Sequence, residues 1–316
     1  MTLEELWEQQ RINHFAYCNI DKYHAAGFKG KGINFLNLEA YPGTDNHGLK
    51  VCKVFSEVAP EVKVFSGVLT GSTSGKEITS YGLTIDGKLY DFENFIIENK
   101  IKVMNSSKSG GTEVVSQFIK KFIVEKHGVI FSAAAGNSYA EVTCPYKNSA
   151  IVVGAVNYEN GGPIHANYSG KGPEVDFNAF AHLYDGTSFA APFLLGEITL
   201  LLNKYGDFNQ AECIEILISL GKDLGYQGKD DKYGWGVPIL PLTDKLEILE
   251  KLRGAEEMQF KDVEDTRWSK AAIDRCVAEG LLVGFEDETF RPTENVTREQ
   301  VAVILTRIFD KIEGRQ

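Results

Sequence analysis

Asp185-Gly186-Thr187-Ser188-Phe189-Ala190-Ala191-Pro192 opens a strongly apolar stretch that runs on to Asn203. The small residues at its start turn the chain, and the apolar run behind them reads as a buried helix with Ser188 at its mouth. A helix N-terminus carries unsatisfied N–H groups and the positive end of the macrodipole. A serine held there can attack a carbonyl while its own N–H stabilises the oxyanion. Gly-Thr-Ser alone would read as an ordinary helix cap. Pro192 argues for more, because a proline inside a helix removes a hydrogen bond and costs about 3 kcal/mol unless something specific requires it.

Working outward from this octet, apolar runs of strand length occur at 33–38, 62–68, 101–104, 129–135 and 151–156. Helical patterns lie between several of them. Val114, Val115, Phe118, Ile119, Phe122 and Ile123 recur at helical spacing, and Gln210–Leu220 reads as a further helix. Strands alternating with helices predict an α/β fold with a mostly parallel sheet. Residues 247–256 read as a charged linking helix. Beyond Phe260 short amphipathic helices replace the apolar strands, so a first domain is expected over 1–250 and a second over 256–316.

The 316 residues carry 33 Lys+Arg against 44 Asp+Glu, a net charge of −11. An acidic chain without a basic run repels phosphates, so nucleic acid is not an expected partner. No stretch approaches the roughly 18 consecutive apolar residues of a membrane span. Cys18, Cys52, Cys144, Cys213 and Cys276 are scattered and odd in number, and none forms a C-x-x-C pair. This argues against a disulfide framework or zinc site and for a reducing compartment. Residues 1–15, MTLEELWEQQRINHF, place Glu4, Glu5 and Glu8 where a secretory leader would be basic and then apolar. No signal peptide is expected, which points to synthesis in the cytoplasm.

The octet resembles the nucleophile motif of the subtilisin-like serine proteases, the subtilases, G-T-S-x-A-x-P. Further segments resemble that family in the order it requires. Ala134-Ala135-Gly136-Asn137 looks like its oxyanion segment, and His47-Gly48 like the start of the helix bearing its catalytic histidine. Ile151–Val156, Tyr168–Asp176 and Tyr233-Gly234-Trp235-Gly236-Val237 match its later elements. The resemblance spans about residues 18–245 and implies a doubly wound, mostly parallel sheet. It also implies a peptidase with Ser188 as nucleophile, His47 as base and Asn137 as oxyanion donor. Ser107, Lys108 and Ser109 align with the strand that pairs with an extended substrate, and Ala135 and Gly136 border the same site. Lys108 replaces an apolar residue and either favours acidic substrates or is simply solvated.

The family's acid is normally Asp; counting from Gly30-Lys31-Gly32-Ile33, that position here is Glu39. The triad expected is therefore Ser-His-Glu, with Asp45 as the alternative acid. An acid in this role orients the imidazole and stabilises its charged form. Leu49-Lys50 replaces the family's usual T-H. Seven residues separate Glu39 from His47, leaving little room for a calcium-binding insertion, so neither a metal nor a cofactor is expected. His14, His24, His127, His165 and His182 fall in no motif and are expected to be structural or on the surface.

Phe260-Lys261-Asp262-Val263, Phe285–Pro292 and Val296-Thr297-Arg298-Glu299-Gln300 resemble an S-layer homology (SLH) domain over about residues 259–312. Thr297 is expected to cap the last helix. The resemblance implies a bacterial wall anchor that binds anionic secondary cell-wall polysaccharide, with Trp268 and Arg298 as candidate ligand contacts. Such domains usually come in threes. A lone module of about 55 residues buries a limited core, which leaves two readings: three chains assemble as a homotrimer, or the module binds weakly or only docks on its own protease. The leading expectation is thus a wall-associated serine endopeptidase that takes peptide or protein substrates. The alternatives are a catalytically impaired pseudoprotease serving as a binding platform, and an intracellular, phage-type processing protease.

Overall fold

The computed structural model describes residues 2–39, 46–71, 81–108, 111–257, 260–264, 267, 269–278, 280–285 and 287–312. The chain divides into two compact units, 1–245 and 246–316. The helix at 247–257, read from sequence as a linker, belongs to the second.

In the first unit the elements run α1 (Leu3–Tyr17), α2 (Ile20–Ala25), β1 (Asn34–Asn37), α3 (His47–Val58), β2 (Lys63–Ser66), β3 (Val68–Gly71), β4 (Tyr81–Ile85), β5 (Lys88–Asp91), α4 (Phe92–Glu98) and β6 (Ile101–Ser106). They continue with α5 (Glu113–Phe118), β7 (Ile130–Ala134), β8 (Ile151–Glu159), β9 (Gly162–His165), β10 (Phe177–Phe180), α6 (Thr187–Tyr205), α7 (Gln210–Leu220), β11 (Gly221–Lys222) and β12 (Val237–Pro238). The main sheet has the order β10-β8-β7-β6-β1-β2, all parallel, with β9 antiparallel beside β8. The expected doubly wound α/β architecture is therefore present. Strands β1, β6, β7, β8 and β10 are almost wholly buried, as parallel strands covered on both faces must be, whereas the edge strand β2 is exposed or half-buried.

One face of the sheet packs on a core that includes Leu36, Phe92, Phe95, Met104, Phe118 and Phe131. The other face carries α3 and α6. These two helices cross in direct contact, because a Cβ on Gly196 would lie 2.6 Å from that of Val58. Phe35 of β1 stacks on Phe55 of α3 with ring centroids 3.8 Å apart. The helices that begin at His47 and Thr187 are thus held against one sheet and against each other.

Two differences from the sequence reading have local causes. The helix predicted around 114–123 is α-helical only to Phe118 and continues as a wider π-helix over 119–125. Ile119, Ile123 and Val124 are buried there, whereas Val114 is exposed. A second sheet, β3-β4-β5, was not anticipated. Its hairpin turns on Asp86-Gly87 and the β8–β9 hairpin on Asn160-Gly161, all four residues at positive φ. Asp-Gly and Asn-Gly are the strongest short signals for such turns, and both stand in the sequence.

The second unit holds α8 (Glu247–Glu257), α9 (Lys270–Ala278) and α10 (Arg298–Ile312). Its core is small: Phe260, Val263, Ile273 and Val277, with Leu282 and Phe290 against them. The Asp262 carboxylate accepts the backbone N–H groups of Phe290 and Arg291 at 2.8 and 2.7 Å, which lowers its pKa. Thr297 caps α10 as expected, and Gln300 completes the capping box by accepting the Thr297 N–H.

Candidate active site

The C-terminal ends of β1, β6 and β7 and the first turns of α3 and α6 meet at one edge of the sheet. Glu39 follows β1 and is 6 % exposed. Ser66 of β2 fixes its backbone by donating to the Glu39 carbonyl at 2.7 Å. His47 begins α3, just after Asn46 in the left-handed conformation. Its Nδ1 lies 2.6 Å from Glu39 Oε1. A carboxylate only accepts, so Nδ1 carries the proton and the lone pair sits on Nε2. The imidazole ring is 5.5 Å from that of Phe189, the neighbour of Ser188. Asp45, the alternative acid, lies outside the described residues.

Ser188 is the second residue of α6 and is largely buried. Its hydroxyl donates to the Ser107 carbonyl at 3.3 Å, and the Ser107 hydroxyl donates back to the Ser188 carbonyl at 2.8 Å. Pro192 explains why that carbonyl is free. In an unbroken helix the N–H of residue 192 would bond to it, and proline has none.

Asn137 stands beside the same turn. Its Oδ1 accepts from the Thr187 N–H at 2.9 Å and from the Thr187 hydroxyl at 3.0 Å. With the oxygen so engaged, the amide turns its Nδ2 donors away from Thr187. Gly186 has φ +131°, and a Cβ there would sit 3.4 Å from Asn137 Nδ2. Gly136, at φ +101°, has no room for any side chain: a Cβ would lie 1.9 Å from Thr143 Oγ1. Asn137 Nδ2 and the Ser188 N–H, which in the first turn of a helix has no intrahelical partner, are thus donors near the Ser188 hydroxyl.

A buried polar row connects these groups. Asn37 donates to Ser66 Oγ at 3.5 Å, and Asn105 donates to both Asn37 Oδ1 at 3.3 Å and Ser107 Oγ at 3.0 Å. Ser132 donates to Asn105 Oδ1 at 3.1 Å. Ser66, Asn37, Asn105 and Ser132 are register neighbours across β2, β1, β6 and β7. The row runs from the carbonyl of Glu39 to that of Ser188. Sequence reading missed it, since each residue looks like an isolated polar interruption until the strands are aligned.

Of the other candidates, Ser107 and Lys108 lie just beyond β6, Lys108 exposed, while Ser109 is outside the described residues. Ala135 is buried and its carbonyl accepts from Thr143 N–H at 2.9 Å. In the second unit Arg298 is exposed in the first turn of α10, and Trp268 lies outside the described residues. All five cysteines are free. Among the described residues, no cluster of three or more His, Cys, Asp or Glu side chains is arranged to hold a metal, and no helix is long and apolar enough to cross a membrane.

The model of the subtilase family matches residues 19–236, and that of the S-layer homology domain matches 259–302. The chain belongs to the subtilase family, with an S-layer homology domain following the protease-like unit. Subtilisin E of Bacillus subtilis is 29 % identical over 233 residues, 63 % of this chain and 58 % of that protein. The outer membrane protein SlpA of Thermus thermophilus is 44 % identical over 55 residues, 17 % of this chain. The chain thus spans little more than half of the first relative and only 6 % of the second. Among solved structures, a lanthipeptide protease superposes with TM-score 0.52 at 16 % identity, covering 75 % of this chain and 95 % of that one.

Proposed function

We propose that the protein is a serine endopeptidase with Ser188 as nucleophile, His47 as general base and Glu39 as the acid. The observation that carries this reading is the 2.6 Å contact between Glu39 Oε1 and His47 Nδ1 beside the α6 mouth. His47 Nε2 takes the Ser188 hydroxyl proton as Oγ attacks the peptide carbonyl. Asn137 Nδ2 and the Ser188 N–H hold the oxyanion. His47 then protonates the departing amine, and water reverses the steps on the acyl-enzyme. The edge beyond β6, at Ser107 and Lys108, takes the substrate as an added strand, which makes its sequence preference broad. A fluorophosphonate probe tests the reading. It should label wild type and not Ser188→Ala, and failure to label wild type would sink it.

The S-layer homology unit supports a place at the cell surface, bound to anionic wall polysaccharide through Arg298 and Trp268. A homotrimer fits the second unit, because α10 leaves Val301, Val303, Leu305 and Phe309 exposed. Exposed apolar surface on this scale marks an association face. Sedimentation at micromolar concentration should give three times the chain mass, and a sharp monomer would exclude the trimer. Purified wall polymer with and without its anionic groups tests the ligand.

A further inference from the structure

A cavity of about 580 Å³ opens beside the loop that leads into Ser188. Its walls come from α1, the end of β8 and the segment after β10, and include Asn13, His14, Tyr158, Glu159, Tyr184 and Asp185. Glu159 and Asp185 are exposed carboxylates with no ion pair or hydrogen bond among the described residues. Lys50, the cation over the Tyr184 ring at 5.5 Å, is not part of the lining.

His14 gives the cavity its chemical sense. It is 4 % exposed, and its ring stacks on Phe180 with centroids 4.3 Å apart. Its Nδ1 lies 3.0 Å from His182 Nδ1, and His182 Nε2 lies 3.0 Å from Glu57 Oε2. The carboxylate accepts, so His182 carries its proton on Nε2 and offers a lone pair at Nδ1. His14 must then donate from Nδ1, which leaves Nε2, on a side chain that lines the cavity, as an acceptor with no hydrogen bond to the described residues. Burial and the neighbouring His182 push His14 down to about 3, so the ring is neutral at ordinary pH. A cavity-lining acceptor and two unpaired carboxylates together ask for a donor-rich cation.

The geometry points to a subsite for a lysine or arginine side chain of the polypeptide substrate, on the side of Ser188 away from β6. This deepens the peptidase reading and rests on it. Asp185 precedes the nucleophile by three residues, and β8 and β10 lie beyond β7 from β6 in the sheet. A peptide paired at Ser107 and crossing Ser188 therefore runs on toward the cavity with its leaving portion.

The test uses the full chain and quenched fluorogenic peptides that differ only in Lys, Ala or Glu at each of the first three positions after the cleaved bond. At one position Lys should exceed Glu about tenfold in kcat/KM, falling with salt. The double variant Glu159→Gln/Asp185→Asn should bring the ratio near one, and Glu159→Lys should invert it, which a merely structural role would not do. His14→Phe keeps the stack on Phe180 and should lower the ratio severalfold. A wild-type ratio near one, or a ratio that the double variant leaves unchanged, overturns the subsite. Peptide affinity read by fluorescence anisotropy on Ser188→Ala separates the two readings. A tenfold Lys preference in Kd without turnover by wild type would overturn the peptidase alone.

Discussion

Ser107 and Ser188 hold each other twice, each hydroxyl donating to the other's carbonyl, at 2.8 and 3.3 Å. Ser107→Ala removes the donor to a buried carbonyl, and Pro192 has already removed the helical one. Such an orphan costs about 1–3 kcal/mol. The variant should unfold at lower denaturant and lose kcat. Adding Pro192→Ala restores an N–H to the Ser188 carbonyl and should recover most of the stability. If the second change gives no recovery, the explanation of Pro192 is wrong.

Asn137→Ala should lower kcat by about 10²–10³ with KM little changed, the loss expected for one oxyanion donor. Because Asn137 Oδ1 also holds Thr187, stability should be followed by thermal melting in parallel. An equal loss in a stability-matched variant elsewhere would remove the oxyanion role.

Glu39→Gln keeps the size of the side chain but invites the wrong imidazole tautomer, and should lower kcat by about 10⁴. Glu39→Asp should retain more activity than Glu39→Gln, since a charge one methylene further away still orients His47. Asp45→Ala should change little. A peptidase assay in which Asp45→Ala alone abolishes turnover would reassign the acid.

Glu197 lies inside α6, 1 % exposed, and among the described residues no nitrogen or oxygen donor pairs with its carboxyl; only the Cys18 thiol is beside it. Burial pushes it up to about 8, only partly offset by the Cys18 thiol. A carboxyl whose pKa is raised on folding keeps its proton in the native state between about pH 4.5 and 8, while the unfolded chain loses it. Stability is therefore unaffected below that window and falls across it as pH rises. Glu197→Gln should melt several degrees higher than wild type at pH 8 and match it near pH 4.5. A pH-independent difference would contradict this.

The strands, α6 and α7 were legible in the sequence because each depends on neighbours along the chain, whereas Asn137 and Ser107, 50 and 81 positions from the turn they join, were reached only through the family resemblance. Glu39 could be found by counting from Gly30-Lys31-Gly32, a local turn. The polar row could not, because Asn37, Asn105 and Ser132 meet only through sheet register. The β3-β4-β5 sheet was missed although Asp86-Gly87 and the alternation of Tyr81, Leu83 and Ile85 before it announce it. The His14–His182–Glu57 chain joins residues up to 168 positions apart, beyond any spacing rule.

That row has a consequence for the folding chain itself. A one-residue slip of β6 would turn Asn105 to the opposite face and withdraw Ser107 from Ser188. Four strands must therefore be aligned before Ser188 is correctly seated. Under the proposed peptidase activity, a copy whose strands are out of register has no seated Ser188 and is a poor threat to its siblings.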